Sequence, residues 1–228
     1  MIRHVEWSDL RRAMAWRQGE HVSFIGPTGT GKTTAMLGLL DLRRYVCVIG
    51  TKPRDETLES LVKRGGGYKR ITSWPPPRIR DRVVLWPHVE RASDNARIAG
   101  VIREALDEAF AEGSWCIAAD EIWYLAHKLK LADMLETYWS QGRSIGLSLV
   151  ATTQRPAWVP RMMYSQATHL FLWKDLDRTN LDRIKDITGG SLNSTDIRKI
   201  VGMLERHEAL YLNTRTGTML RTRAPKRR

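Results

Sequence analysis

The segment Gly26-Pro27-Thr28-Gly29-Thr30-Gly31-Lys32-Thr33-Thr34 presents G-x-x-x-x-G-K-[ST], the residue types and spacing needed to hold a chain of phosphates. The glycines let successive backbone N–H groups curl around phosphate oxygens. Lys32 brings an ammonium to the β and γ phosphates, and Thr33 offers a hydroxyl to Mg²⁺. The apolar run His21-Val22-Ser23-Phe24-Ile25 ahead of the loop reads as a strand. Thr33 to about Asp41 reads as a helix whose N-terminal N–H groups also favour an anion. This stretch alone predicts a bound nucleotide.

Two further polar sets stand at the ends of apolar runs. Asp120-Glu121 follows Ser114-Trp115-Cys116-Ile117-Ala118-Ala119. An acidic residue at such a strand end, here Asp120, can hold Mg²⁺ through water. A second carboxylate beside it, Glu121, can orient and deprotonate an attacking water, which points to hydrolysis. The plainer use of the pair is to cap a helix beginning near Ile122. Downstream, Gly146 to Thr152 runs apolar into Thr153-Gln154-Arg155-Pro156, bringing Gln154 to the carboxyl edge of a sheet, where open α/β folds bind ligands. A neutral amide there can bond the γ-phosphate or the lytic water; the plain alternative is an ordinary solvated loop residue.

Positioning these groups takes alternating strands and helices, the pattern of a mostly parallel sheet covered on its faces. Further strands are expected at Tyr45–Ile49, Arg82–Trp86, Ser144–Thr152 and Thr168–Trp173, with a terminal hairpin of Glu208–Asn213 and Thr218–Arg221. Helices are expected at about 8–18, Asp55–Lys63, Leu176–Ile187 and Thr195–Glu205. The clearest spans Ser93 to Glu112, where Ile98, Val101, Ile102, Ala105, Leu106, Ala109 and Phe110 recur at steps of three and four and Ser93 stands at the N-cap. Gly65-Gly66-Gly67 and Pro75-Pro76-Pro77 read as loops. The fold class is α/β, a P-loop NTPase of RecA-like ASCE type, with one domain over residues 1–220 and a mobile basic tail over 221–228.

Composition narrows the setting. At 228 residues the chain can bury one substantial core. Cys47 and Cys116 lie in apolar runs and read as buried hydrophobes, not as a disulfide, and the six histidines lack the spacing of zinc ligands. That cysteine usage favours a reducing, intracellular site, and since no apolar stretch approaches eighteen residues a soluble protein is expected. A formal net charge of +12 favours a polyanionic partner, the alternative being charge that merely confers solubility. Of nine tryptophans, Trp86, Trp115 and Trp173 sit on expected strands and belong to the core, whereas Trp74, Trp139 and Trp158 could meet another subunit or DNA. Thr51-Lys52-Pro53-Arg54-Asp55 reads as a loop whose Lys52 or Arg54 can approach phosphate or DNA.

Three features in order, Gly26 to Thr33, the run ending in Asp120-Glu121, and Gln141-Gly142-Arg143-Ser144-Ile145-Gly146 leading to Thr153-Gln154-Arg155-Pro156, resemble the FtsK/HerA superfamily of DNA-pumping ATPases. The resemblance implies that Lys32 and Thr33 carry phosphate and metal, Asp120 the metal, Glu121 the water and Gln154 the sensor role. It implies ATP and Mg²⁺ as ligands, double-stranded DNA as partner, and a homo-oligomeric ring, pentameric or hexameric. In such rings an arginine completes the neighbour's site; Arg143 matches that place best and Arg155 is the reserve. A motor domain without nuclease domain or membrane segment is closest in plan to small viral genome-packaging ATPases, which would work in host cytoplasm or on the virion, at a capsid vertex or portal-like protein. A conjugative or plasmid-transfer ATPase and a nucleotide-switch assembly protein are the alternatives.

Overall fold

Val22–Ile25 is a strand with no exposed side chain, and short, wholly buried strands of this kind need cover on both faces. That cover is present in the computed structural model, which describes residues 2–63, 66–75, 81–187 and 193–225. The described residues form nine strands: β1 (Val22–Ile25), β2 (Val46–Ile49), β3 (Lys69–Ile71), β4 (Arg82–Leu85), β5 (Cys116–Ala119), β6 (Ser148–Thr153), β7 (His169–Trp173), β8 (Glu208–Asn213) and β9 (Met219–Arg223). They make one sheet in the order β3-β4-β2-β5-β6-β1-β7-β8-β9. From β3 to β7 every neighbouring pair is parallel, and β8 and β9 close the sheet as an antiparallel hairpin. The fold class expected from the sequence is the one observed.

Eight α-helices lie among the described residues: α1 (Trp7–Ala13), α2 (Lys32–Leu40), α3 (Glu56–Val62), α4 (Asn95–Glu112), α5 (Ala132–Gln141), α6 (Met162–Ser165), α7 (Arg178–Asp182) and α8 (Ser194–Met203). Alternation along the strands divides the interior into two cores. Val22 and Phe24, Val46 and Val48, and Cys116 and Ala118 face one core, with Leu10 of α1 and Met36 and Leu39 of α2. Ile25, Cys47, Ile49, Ile117 and Ala119 face the other, with Ile98 and Ile102 of α4 and Leu135 of α5. Phe24 stacks on Phe171 across β1 and β7 at a centroid distance of 4.7 Å. A central β1 buried between two helix layers holds the chain leaving its carboxyl end in a fixed place.

Several expectations are corrected. The fifth expected strand begins at Ser148, because Gly142–Ile145 is a 3₁₀ turn closed by Gly146 in the left-handed region. The N-terminal helix is Trp7–Ala13 and not 8–18. The helix expected over 176–187 is α7 followed by a 3₁₀ turn, Arg183–Asp186. Ser93 does not cap α4; Asp94 holds the N-cap position without a side-chain bond to the helix, its Oδ2 accepting instead from the N–H groups of Glu90 (2.9 Å) and Arg91 (3.0 Å) ahead of it. β3 is an additional strand whose Lys69 and Arg70 are exposed, charges that discourage pairing of a sheet edge with another chain. Trp74 and Trp139 are core residues, 4% and 1% exposed, whereas Trp158 stands 64% exposed. Arg221 to Arg223, placed in a mobile tail, belong to β9; Val5 N–H donates to the Arg221 carbonyl and Arg221 N–H to that of Arg3. Lys226, Arg227 and Arg228 lie outside the described residues, as do Gly65, Pro76 and Pro77.

His21, buried at the start of β1, gives the fold an acid limit. Its Nδ1 accepts from Leu149 N–H at 3.0 Å, so the neutral ring is the form that fits. Burial, reinforced by the charges of Arg143 and Arg215, holds its pKa down at about 4 from 6.5. Between those values the unfolded chain takes up the proton first, so stability rises with pH across that window and is lost on acidification. The expected loss between pH 7 and pH 4 is ~3 kcal/mol. Chemical denaturation at the two pH values, with His21→Asn flattening the dependence over that interval, checks this.

Candidate nucleotide site

The phosphate-loop geometry follows from where β1 ends. Gly26 leaves β1 so close to β7 that a Cβ would lie 2.6 Å from the Cβ of Trp173, and no larger residue fits. Gly31 starts α2 at φ +104°, a conformation side chains resist, and this aims the first turn of α2, with Lys32, Thr33 and Thr34, at the loop's hollow. Within the loop Thr30 Oγ1 donates to the Pro27 carbonyl at 2.9 Å, and Lys32 Nζ donates to the same oxygen at 2.6 Å. Burial lowers the Lys32 pKa to about 8, against the pull of Asp120, Glu121 and Asp175. A phosphate anion in the loop favours its charged form.

Strand order brings the other candidates to the same edge. β6 lies between β1 and β5, and the register pairs Ile25 with Thr153 and Ala119 with Ala151. Residues just beyond these strands therefore converge. Asp120 Oδ1 accepts from Thr33 Oγ1 at 2.9 Å and from Thr152 Oγ1 at 2.7 Å. Thr152 Oγ1 also accepts from Glu121 N–H at 3.0 Å, steadying Glu121 at φ +65°, a backbone strain of order 1 kcal/mol.

The Glu121 carboxylate is oriented by β6. Thr153 Oγ1 donates to its Oε1 at 3.2 Å and Gln154 N–H to its Oε2 at 3.1 Å. Burial raises the Glu121 pKa; those two hydrogen bonds and Lys32 oppose the rise and Asp120 adds to it. The Gln154 side chain points back to the phosphate loop, its Oε1 accepting from Thr28 Oγ1 at 2.5 Å. One hydrogen-bonded chain thus runs from Thr28 through Gln154 to Glu121.

The two arginines are placed differently. Arg155 follows Gln154, its guanidinium 4.8 Å above the Trp123 ring. Arg143 is exposed in the 3₁₀ turn before β6, at the amino-terminal edge. The six residues of β6 separate it from its own site by about 20 Å. Sequence reading brought Lys52 toward phosphate but missed the structural part of Thr152 and the pairing of Lys52 with Asp120, whose Oδ2 lies 3.6 Å from Lys52 Nζ. Thr152 carried a signal in its position two residues before Gln154. The contact of Lys52 with Asp120 carried none, because it requires knowing that β2 neighbours β5.

The residues fit Mg²⁺. The Thr33 hydroxyl and Asp120 carboxylate are adjacent oxygen donors of the kind this hard ion takes, commonly alongside substrate phosphates and water. Among the described residues no group of three or more His, Cys, Asp and Glu forms a site without phosphates.

A buried parallel sheet with the phosphate loop after β1, and with β6 between that strand and the one bearing the acidic pair, defines the fold as that of the P-loop ATPases. No family model and no curated protein matches the sequence. Solved structures match in fold. The genome packaging NTPase B204 from Sulfolobus turreted icosahedral virus 2, in complex with sulfate, superposes with a TM-score of 0.70 at 16% identity, covering 93% of this chain and 100% of B204. The same protein in complex with AMPPCP matches with a TM-score of 0.67 at 15% identity, over 92% of this chain and 100% of that one. ATPases 2 and 3 of EssC from Geobacillus thermodenitrificans give 0.57 at 11% identity, over 93% of this chain and 41% of that one. Among the described residues no helix is long and apolar enough to cross a membrane.

Proposed function

We propose that this chain is an ATP hydrolase that drives double-stranded DNA, a genome-packaging motor subunit acting in a homo-oligomeric ring. The observation that carries the hydrolase reading is the convergence of Thr33, Asp120, Glu121 and Gln154 on one sheet edge, where direct hydrogen bonds join Thr33 to Asp120 and Gln154 to Glu121, beside the loop on which Lys32 is held by the Pro27 carbonyl. The phosphate loop and Lys32 bind and orient the triphosphate. Thr33 and Asp120 hold Mg²⁺, which when bound neutralises charge developing on the phosphoryl oxygens. Glu121, fixed by Thr153 and the Gln154 N–H, takes the proton from a water aimed at the γ-phosphate. A pKa raised by burial makes it a stronger base than a solvated carboxylate.

Gln154 links chemistry to movement in this reading. With Oε1 held by Thr28, the Gln154 amide N–H groups are the donors left for a γ-phosphate at the loop, and loss of that phosphate leaves them unengaged. Arg143, remote from its own site, is the residue we assign to a neighbour's site in the ring, as supported by its exposure and its place at the opposite edge. The DNA assignment draws on the net charge of +12 and on the fold shared with B204, the DNA-packaging ATPase from Sulfolobus turreted icosahedral virus. Binding through phosphates weakens steeply between 50 and 200 mM salt.

The test is the ATPase rate with and without long duplex DNA, with particle mass measured under the same conditions. A ring whose turnover rises with DNA is the expected result. A hydrolysing monomer indifferent to DNA overturns the motor and leaves the hydrolase; a nucleotide-binding protein without turnover overturns both.

A further inference from the structure

Lys52 stands on a loop that is held at three points. Its carbonyl accepts from Trp86 Nε1 at 2.7 Å. Gly50, two residues earlier, packs so tightly that a Cβ there would lie 2.9 Å from atoms of both Leu58 and Trp86. Asp55 caps α3, its Oδ1 accepting from the N–H groups of Thr57 (3.0 Å) and Leu58 (3.1 Å). From this loop the Lys52 ammonium reaches two carboxylates, Asp55 Oδ2 at 3.3 Å and Asp120 Oδ2 at 3.6 Å.

The division of labour on Asp120 is the informative part. Its Oδ1 is taken by two hydroxyls, Thr33 and Thr152, whereas its Oδ2 faces the ammonium. A carboxylate that serves a divalent ion offers it lone pairs and negative charge, and Lys52 draws on both at the same group. A single positive charge a few ångströms from a divalent ion opposes it by roughly 1–2 kcal/mol even at the dielectric constant of water, which is about tenfold in affinity.

We propose that Lys52 competes with the divalent cation for Asp120, so that the ion is held weakly by the protein alone and tightly only together with the triphosphate. Asp55 makes the exchange reversible: it gives the ammonium a second, fixed carboxylate to turn to when Asp120 serves the ion. Lys52 is thereby a positioning residue that sets the order of loading, metal with nucleotide and not before it. The proposal rests on the nucleotide-site reading above.

The test uses Mn²⁺ as probe and the decline of the free-ion EPR signal as readout, on the full chain, without nucleotide and with a non-hydrolysable ATP analogue. Without nucleotide, Lys52→Met is expected to bind Mn²⁺ about tenfold more tightly than the parent protein, while Lys52→Arg behaves like the parent. Equal Mn²⁺ affinity of Lys52→Met and parent, or no binding by either, overturns the proposal. A lowered melting temperature in Lys52→Met with unchanged Mn²⁺ affinity does the same, since it marks Lys52 as a support for the α3 cap and nothing more. Asp120→Asn keeps the two levels apart. With the analogue bound it must weaken Mn²⁺ retention; if it does not, the metal reading of Asp120 is what fails. If it does, and Lys52→Met has no effect, only the competition is lost.

Discussion

Glu121→Gln is expected to slow ATP turnover by about 10²–10⁴-fold while ATP binding persists, the range that general base catalysis contributes. The amide preserves size and can still accept from Thr153 Oγ1 or from Gln154 N–H, so the orientation set by β6 survives. What disappears is the basic oxygen. Single-turnover hydrolysis and equilibrium nucleotide binding measured on the same preparation separate the two effects. Turnover near the parent rate sinks the assignment of Glu121 as base, and loss of binding shows the substitution to have disturbed the loop instead. The acid limb of the pH–rate profile belongs to the same argument. Because burial raises the Glu121 pKa, activity falls on acidification at a higher pH than an ordinary carboxylate would give.

Lys32→Ala is expected to weaken ATP binding by about 100-fold or more, since charge-assisted hydrogen bonds are worth ~1.5–3 kcal/mol each and we assign this ammonium to the β and γ phosphates. Its energetics in the free protein run the other way. Lys32 is 5% exposed and its pKa is lowered to about 8 by burial, so the ammonium is held at a desolvation cost only partly offset by Asp120, Glu121 and Asp175. Ligand-free Lys32→Ala is therefore expected to melt no lower than the parent, while the rise in melting temperature caused by ATP is lost. A variant that still gains stability from ATP would show that the loop holds phosphate without this residue.

The phosphate loop was legible because its chemistry is local. Four constrained positions within eight residues, followed by a helix, carry their meaning wherever the segment sits. Asp120-Glu121 and Gln154 were legible for a related reason: each stands where an apolar run stops, and strand ends in a parallel sheet lie at a common edge. The limits were equally physical. β3 is three residues long with two exposed cations, too short for alternation to register. Ser144 to Leu147 looked strand-like because Ile145 and Leu147 are apolar, yet Gly142 and Gly146 allow a 3₁₀ turn that ends in the left-handed region. Arg221 to Arg223 read as solvated charge until the N-terminal segment paired with β9.

By itself the sequence determined the class of fold and which groups would gather at the phosphate loop's edge of the sheet, because these depend on residue type and short spacing. The tertiary structure alone decided how those groups are connected. Only strand order puts β6 between β1 and β5, so that Thr152 can hold both Asp120 and the Glu121 backbone, and only it puts β2 beside β5, so that Lys52 faces the Asp120 carboxylate. It also removes Arg143 to the edge opposite its own loop. Strand neighbours come from non-local burial of both sheet faces, a choice made by the whole core that no short window of residues records.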